Sequence, residues 1–211
     1  MVASEFKVEY VFEPERINNY YRGEFGMIGK KNITFGFIYL VFTASLGLVM
    51  VDKYEDFGAA AQEKQATVGR LQALKGNGFE EELEPLKAMQ IAKANTDGIL
   101  GLNKLNNTEA EIDAIKGGPH AHGNLEAVLN IIAGLTLCFI ATASWLKQAI
   151  SWLFIVGTVM HSGMLYLRTI FDYAWANTLL ETGIGPFAIL IGLLLMGIVS
   201  CKSFSSKVIE D

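Results

Sequence analysis

An all-α integral membrane protein, a four-helix bundle with a helical extramembrane insertion between its first and second spans, is the fold class that three observations predict. Hydrophobic residues make up 51% of the 211-residue chain and charged residues only 18%, a balance more apolar than that of soluble domains. Residues 33–51, 125–143, 149–167 and 184–201 form four apolar stretches, each long enough to cross a bilayer as a helix. Between the first and the second lies a long polar segment rich in helix formers.

Residues 1–32 form an N-terminal cytoplasmic or interfacial segment, "FKVEYVFEPERINNYYRGEFGMIGKKN", whose aromatics and arginines suit the headgroup level or a docking partner. Glu5, Glu9, Glu13, Glu15 and Glu24 replace the short basic start of a cleaved signal peptide, so the first span, 33–51, is expected to be retained. Residues 52–118 form the extramembrane helical domain. Its first part, "AAAQEKQATVGRLQALKGNG", is expected to stop at Gly76 to Gly78. The second, "FEEELEPLKAMQIAKANTDG", carries Pro85 near its first turn and is expected to end at Gly98. "NNTEAEIDAIKGG" predicts a third short helix, capped by Asn107 or Thr108 and stopped by Gly117 and Gly118. Residues 119–201 hold spans two to four, the last opened by Pro186 beside a flexible Gly183 and Gly185, and 202–211 form a cytoplasmic tail.

Orientation follows from the basic residues near the span ends. Arg22, Lys30, Lys31, Lys147, Lys202 and Lys207 fall on one side and Lys53, Lys116 and Arg168 on the other. The positive-inside rule then places both termini in the cytoplasm and residues 52–118 on the outer, periplasmic side.

The net charge of −5 and the absence of any Lys/Arg tract argue against a nucleic-acid partner. Cys138 and Cys201 lie in apolar stretches and form neither a disulfide framework nor a CxxC site. No Gly-rich phosphate loop, nucleophile elbow or HExxH motif occurs, so hydrolase or kinase chemistry has no support. In the last outer connection, Phe171, Tyr173 and Trp175 fit an interface belt.

The chemistry gathers around the histidines. His120 and His122 stand at the outer mouth of the second span, and His161 lies toward the outer end of the third. With a tight connection near residues 142–145, antiparallel pairing sets His161 beside Leu125 or Glu126. His122, Glu126 and Asn130 recur every four residues as one polar stripe; Thr158, His161, Ser162 and Arg168 make a second. Ionisable groups in a bilayer cost about 2.5–3.5 kcal/mol each on insertion scales, so both stripes are expected to face the bundle interior and mark a site. Two ligands suit such a site. A b-type haem would take His122 (or His120) and His161 as axial ligands, with Gly123, Gly134, Gly157 and Gly163 leaving room and Arg168 meeting the propionates. A divalent transition metal would take His122, His161 and Glu126 as a two-His, one-carboxylate set. Spacing does not separate the two.

The run "HAHGNLEAVLNIIAG" resembles the His-x-His helix entry of haem-copper oxidase and nitric oxide reductase large subunits and of small multi-span b-haem membrane proteins. The resemblance covers about fifteen residues. It implies a ligand role for His120 or His122, with His161 as second ligand. It implies no dinuclear oxygen-reducing centre, because the chain has four spans and no further histidines.

Three functions are therefore expected to compete. The first is a b-type cytochrome-like electron-transfer protein that exchanges electrons with a quinol or with a redox donor docked on the outer domain. The second is a cofactor-free accessory subunit of a larger membrane complex. The third is a membrane metalloenzyme built on His122, Glu126 and His161.

Overall fold

The computed structural model describes residues 28–209. Most of the expected N-terminal segment 1–32 lies outside the described residues. Those described are overwhelmingly helical.

Helix α1, Ile28–Gly76, runs unbroken for 49 residues, roughly 74 Å at 1.5 Å per residue. The expected boundary between span and insertion at 51/52 is a change of composition and not of conformation. No proline interrupts the segment, and its polar half is built of Ala, Gln, Glu, Lys and Leu. Its end falls at the expected Gly76 to Gly78, where Gly78 takes φ +66°. A two-residue antiparallel ribbon pairs Glu80–Glu81 with Glu84–Pro85.

Helix α2, Ala88–Ile115, returns along α1. It passes through Gly98 without a break and absorbs residues 107–115 as its last turns, so neither the stop at Gly98 nor a separate third helix is present. Gly98 is buried against Leu71, and a Cβ on Gly101 would come within 2.6 Å of Thr67 Oγ1. These glycines let two helices approach closely; they do not end one. Lys104–Glu63 at 2.6 Å and Lys53–Glu111 at 2.7 Å tie the hairpin together. Glu111 holds the Lys53 ammonium above its usual range, through the hydrogen bond first and its charge second.

Gly117 and Gly118 do not stop the chain either. Residues Lys116–His120 form one widened helical turn, with Gly118 at φ −89°, ψ −110° beside Pro119, and the chain continues as α3, Ala121–Leu137. It reverses over residues 138–143 into α4, Ser144–Thr158. A second widened turn, Val159–Gly163, leads to α5, Met164–Phe171. Asp172, at φ +53°, ends α5. Helices α6, Ala174–Glu181, and α7, Ile184–Ser203, complete the chain. The tail beyond α7 folds back on the reversal through Ser205 N–H to Phe139 O (2.8 Å) and Ile209 N–H to Cys138 O (2.9 Å).

Among the described residues, three helices are long and apolar enough to cross a membrane: Ile28–Gly76, Ser144–Phe171 and Ile184–Ser203. Large apolar residues also face outward: Phe37, Val41, Leu48, Leu190 and Leu194 are exposed. The interior combines an apolar core around Leu137, Ile140, Ile150 and Phe154 with the fully buried polar residues Asn32, Thr43, Asn130, Ser151 and Thr158. Apolar faces this extensive depart from the pattern of a soluble domain. Lys147, counted above among the end charges, is also buried, at 1% exposure.

Backbone contact between glycines holds the bundle. A Cβ on Gly134 would lie 2.5 Å from Gly29 O, and one on Gly36 would lie 2.6 Å from Ala127 O, so α1 and α3 touch main chain to main chain. Such small-residue seams replace hydrophobic driving force where the surroundings are apolar. Gly134→Val is therefore expected to push α3 off α1 and destabilise the fold by about 1–3 kcal/mol. Gly197→Ala, in open space, serves as the neutral control; thermal unfolding in detergent reads both.

Candidate metal centre

Glu126 is the centre of a buried cluster contributed by three helices. It projects from α3 one turn below His122 and one turn above Asn130, and is 4% exposed. Its Oε1 lies 2.5 Å from His161 Nδ1, and Ser162 Oγ donates to its Oε2 at 2.6 Å. Two successive residues thus serve one carboxylate. A regular α-helix would turn them about 100° apart; the widened turn Val159–Gly163 brings both round, as such turns do at functional sites. Gly185 of α7 backs this turn, since a Cβ there would come within 2.6 Å of His161 N. Gly185 therefore serves close approach, where local flexibility was expected.

The remaining contacts hold the cluster still. Because the Ser162 proton is committed to Glu126, the Tyr39 hydroxyl of α1 donates to Ser162 Oγ, at 2.9 Å. Asn130 donates to Thr158 Oγ1 (2.9 Å) and to the Glu126 carbonyl (3.0 Å), and accepts from Asn32 Nδ2 (3.1 Å). Asn32 in turn donates to the Ser151 carbonyl (3.1 Å) and accepts from the Ser151 hydroxyl. Every buried side-chain nitrogen and oxygen among the described residues has a partner.

His122 completes the arrangement. Its ring meets that of His161 edge to face, with centroids 4.9 Å apart and planes at 64°. Ligand-capable atoms of His122, Glu126 and His161 all lie within 4.8 Å of one another. His122 is exposed, His161 partly buried and Glu126 buried, so the set opens toward one side.

His120 and Arg168 are not brought into this cluster. His120 Nδ1 donates to the Thr43 carbonyl of α1 at 3.0 Å, pinning the widened turn around Gly118. Arg168, two turns beyond His161, lines a separate cleft with Val49, Lys53 and Asp172. The contribution of α1 escaped the sequence reading. Asn32, Tyr39 and Thr43 stand at helical spacings of seven and four within an otherwise apolar run, and that was the available signal.

A bis-histidine haem does not fit this arrangement. Trans imidazoles bonded at about 2 Å to one metal face each other with nitrogens about 4 Å apart and the macrocycle between them. Here the two rings touch edge to face. Three of the four glycines expected to make room for a porphyrin are occupied by helices, Gly123 by Thr43, Gly134 by Gly29 and Gly157 by Ile189, while Gly163 has only ordinary contacts at 3.6 Å and beyond. A single ion needs no such slot.

Comparison with family models, with characterised proteins and with solved structures finds no match to this chain.

Asn130→Leu would leave Asn32, Thr158 and the Glu126 carbonyl short of partners in a buried setting. A loss of about 1–3 kcal/mol is expected, against less than 0.5 kcal/mol for Thr136→Val on the exposed face of α3. Thermal unfolding of the two variants checks the difference.

Proposed function

We propose that this chain is a four-span membrane protein whose His122, Glu126 and His161 bind a divalent transition-metal ion. The single observation that carries the reading is the convergence of those three side chains within 4.8 Å. Two imidazoles and a carboxylate suit iron, zinc, copper or nickel. Three protein ligands leave a coordination position for water or a small molecule, as in catalytic sites and unlike closed structural ones. Such an ion supplies Lewis-acid or redox chemistry. The chain's part is to hold the ligands: Ser162, backed by Tyr39, orients Glu126, and the widened turn orients His161.

The proton held between His161 Nδ1 and Glu126 Oε1 must leave when that nitrogen becomes a ligand. Metal affinity is therefore expected to fall as pH is lowered. The outer hairpin of α1 and α2 remains the surface on which a protein partner would dock.

The fourth span in this reading is α3, only 17 residues long. It lies against α1 from Gly29 and Gly134 at one end to Thr43 and Gly123 at the other, and so occupies the same slab as the apolar part of α1. Both termini then lie on the cytoplasmic side and the hairpin outside. Cysteines at Lys207 and Lys87 should label from opposite sides of the membrane; labelling from one side overturns the topology.

Metal analysis of protein purified from its native membrane is expected to find about one ion per chain. His161→Ala and Glu126→Ala should each lower it at least about tenfold, and His120→Ala should leave it within about twofold. A visible spectrum and pyridine haemochrome, run on the same samples, would reveal haem instead. Wild-type protein carrying neither ion nor haem would overturn the cofactor reading and leave a cofactor-free subunit.

A further inference from the structure

Beside the hairpin's base, α1 and α2 part from α5 and leave a cleft of ≈ 550 Å³. Val49, Leu165 and Ile170 give it apolar walls, and four charged side chains line it. Lys53 and Glu111 neutralise each other at 2.7 Å. Arg168 and Asp172 do not: though one helical turn apart, they form no ion pair or side-chain hydrogen bond with each other or with any other described residue. Asp172 also caps the C-terminal end of α5, where the helix dipole disfavours an anion and favours a cation nearby.

The level of the cleft follows from its neighbours. Tyr166, Phe171, Tyr173 and Trp175 form a file of rings with successive centroids 6.0, 5.7 and 6.0 Å apart. The last three rings are about half exposed. An exposed aromatic file at the end of an apolar helix marks the headgroup zone of a bilayer. The cleft therefore combines a free guanidinium, a free carboxylate and apolar walls at headgroup depth. Its charges balance, so an anionic headgroup would leave the carboxylate opposed. A headgroup with a phosphate and a hydrogen-bonding cation a few ångströms apart satisfies both. Guanidinium binds phosphate through paired N–H donors, and a primary ammonium can donate to a carboxylate where a trimethylammonium cannot.

We propose that the cleft holds one phospholipid with a phosphoethanolamine headgroup, its phosphate on Arg168, its ammonium on Asp172 and its acyl chains along Val49, Leu165 and Ile170. This site rests on the membrane reading above and is independent of the metal.

The test is native mass spectrometry of the full chain in detergent, titrated with phosphatidylethanolamine, phosphatidylglycerol and phosphatidylcholine of identical acyl chains. One phosphatidylethanolamine should be retained about tenfold better than either rival, the equivalent of one charge-assisted hydrogen bond. Arg168→Gln should lose that retention, with Arg168→Lys intermediate. Asp172→Asn should keep lipid binding and lose the preference over phosphatidylglycerol. Equal retention of the three lipids by wild type overturns the proposal. So does unchanged binding by Arg168→Gln, or displacement of the lipid by soluble phosphoethanolamine at equal concentration. Circular dichroism establishes that the variants fold. Metal content of Arg168→Gln should equal that of wild type, so the two readings fail separately.

Discussion

A carboxylate with almost no access to solvent is the constraint on which this bundle is built. Glu126 is 4% exposed and surrounded by apolar helices. Its ionised form costs several kilocalories per mole there unless hydrogen bonds replace the lost water. His161 and Ser162 supply those bonds at 2.5 and 2.6 Å, and charge-assisted bonds of about 1.5–3 kcal/mol each are of the size required. To present two consecutive residues to one carboxylate, the chain between α4 and α5 widens by a turn. To keep Ser162 donating toward Glu126, Tyr39 must come from α1. One acid thus ties together α1, α3 and the turn that follows α4.

Reaching such contacts demands backbones that lie close together. Asn32 reaches Asn130 because Gly29 and Gly36 seat α1 on α3; Thr158 meets Asn130 and Ser151 meets Asn32 from α4, which Gly157 seats on α7. The two features depend on each other. Glycine seams alone give proximity without register, and a polar network alone cannot span a gap packed by leucines. With both, a polar network and an apolar core share the interior while large apolar residues also face outward, an arrangement suited to apolar surroundings.

Much of the site was legible because its residues obey simple periodicities. His122, Glu126 and Asn130 recur every four residues, and counting back from a reversal near 142–145 set His161 beside Leu125 or Glu126; His161 does meet Glu126, although the reversal falls earlier, over 138–143. What stayed hidden depended on contacts between helices. Glycine has two uses, ending helices and letting them touch, and sequence does not say which. Gly98, Gly118 and Gly185 were read as stops or flexible points and serve approach or a kink. The step from apolar to polar at residues 51–52 resembled a domain boundary, yet no proline or cap breaks the helix there. His120 and His122 were indistinguishable until the kink at Gly118 turned one toward Thr43 and the other toward His161.

The two widened turns, Lys116–His120 and Val159–Gly163, lie on the hairpin's side of the glycine seams. Away from the hairpin, backbone contacts at Gly29, Gly134 and Gly157 leave no freedom, because interlocked main chains cannot slide without clashing. Toward the hairpin, α5 diverges from α1 and α2, and the cleft at Arg168 opens. Widened turns carry their residues off the regular helical spacing, and they concentrate at functional sites for that reason. The turn at His161 is held from two sides: Glu126 bonds the imidazole from α3, and Gly185 brings the main chain of α7 against His161 N. The opening toward the hairpin therefore lies beyond the cluster and not within it.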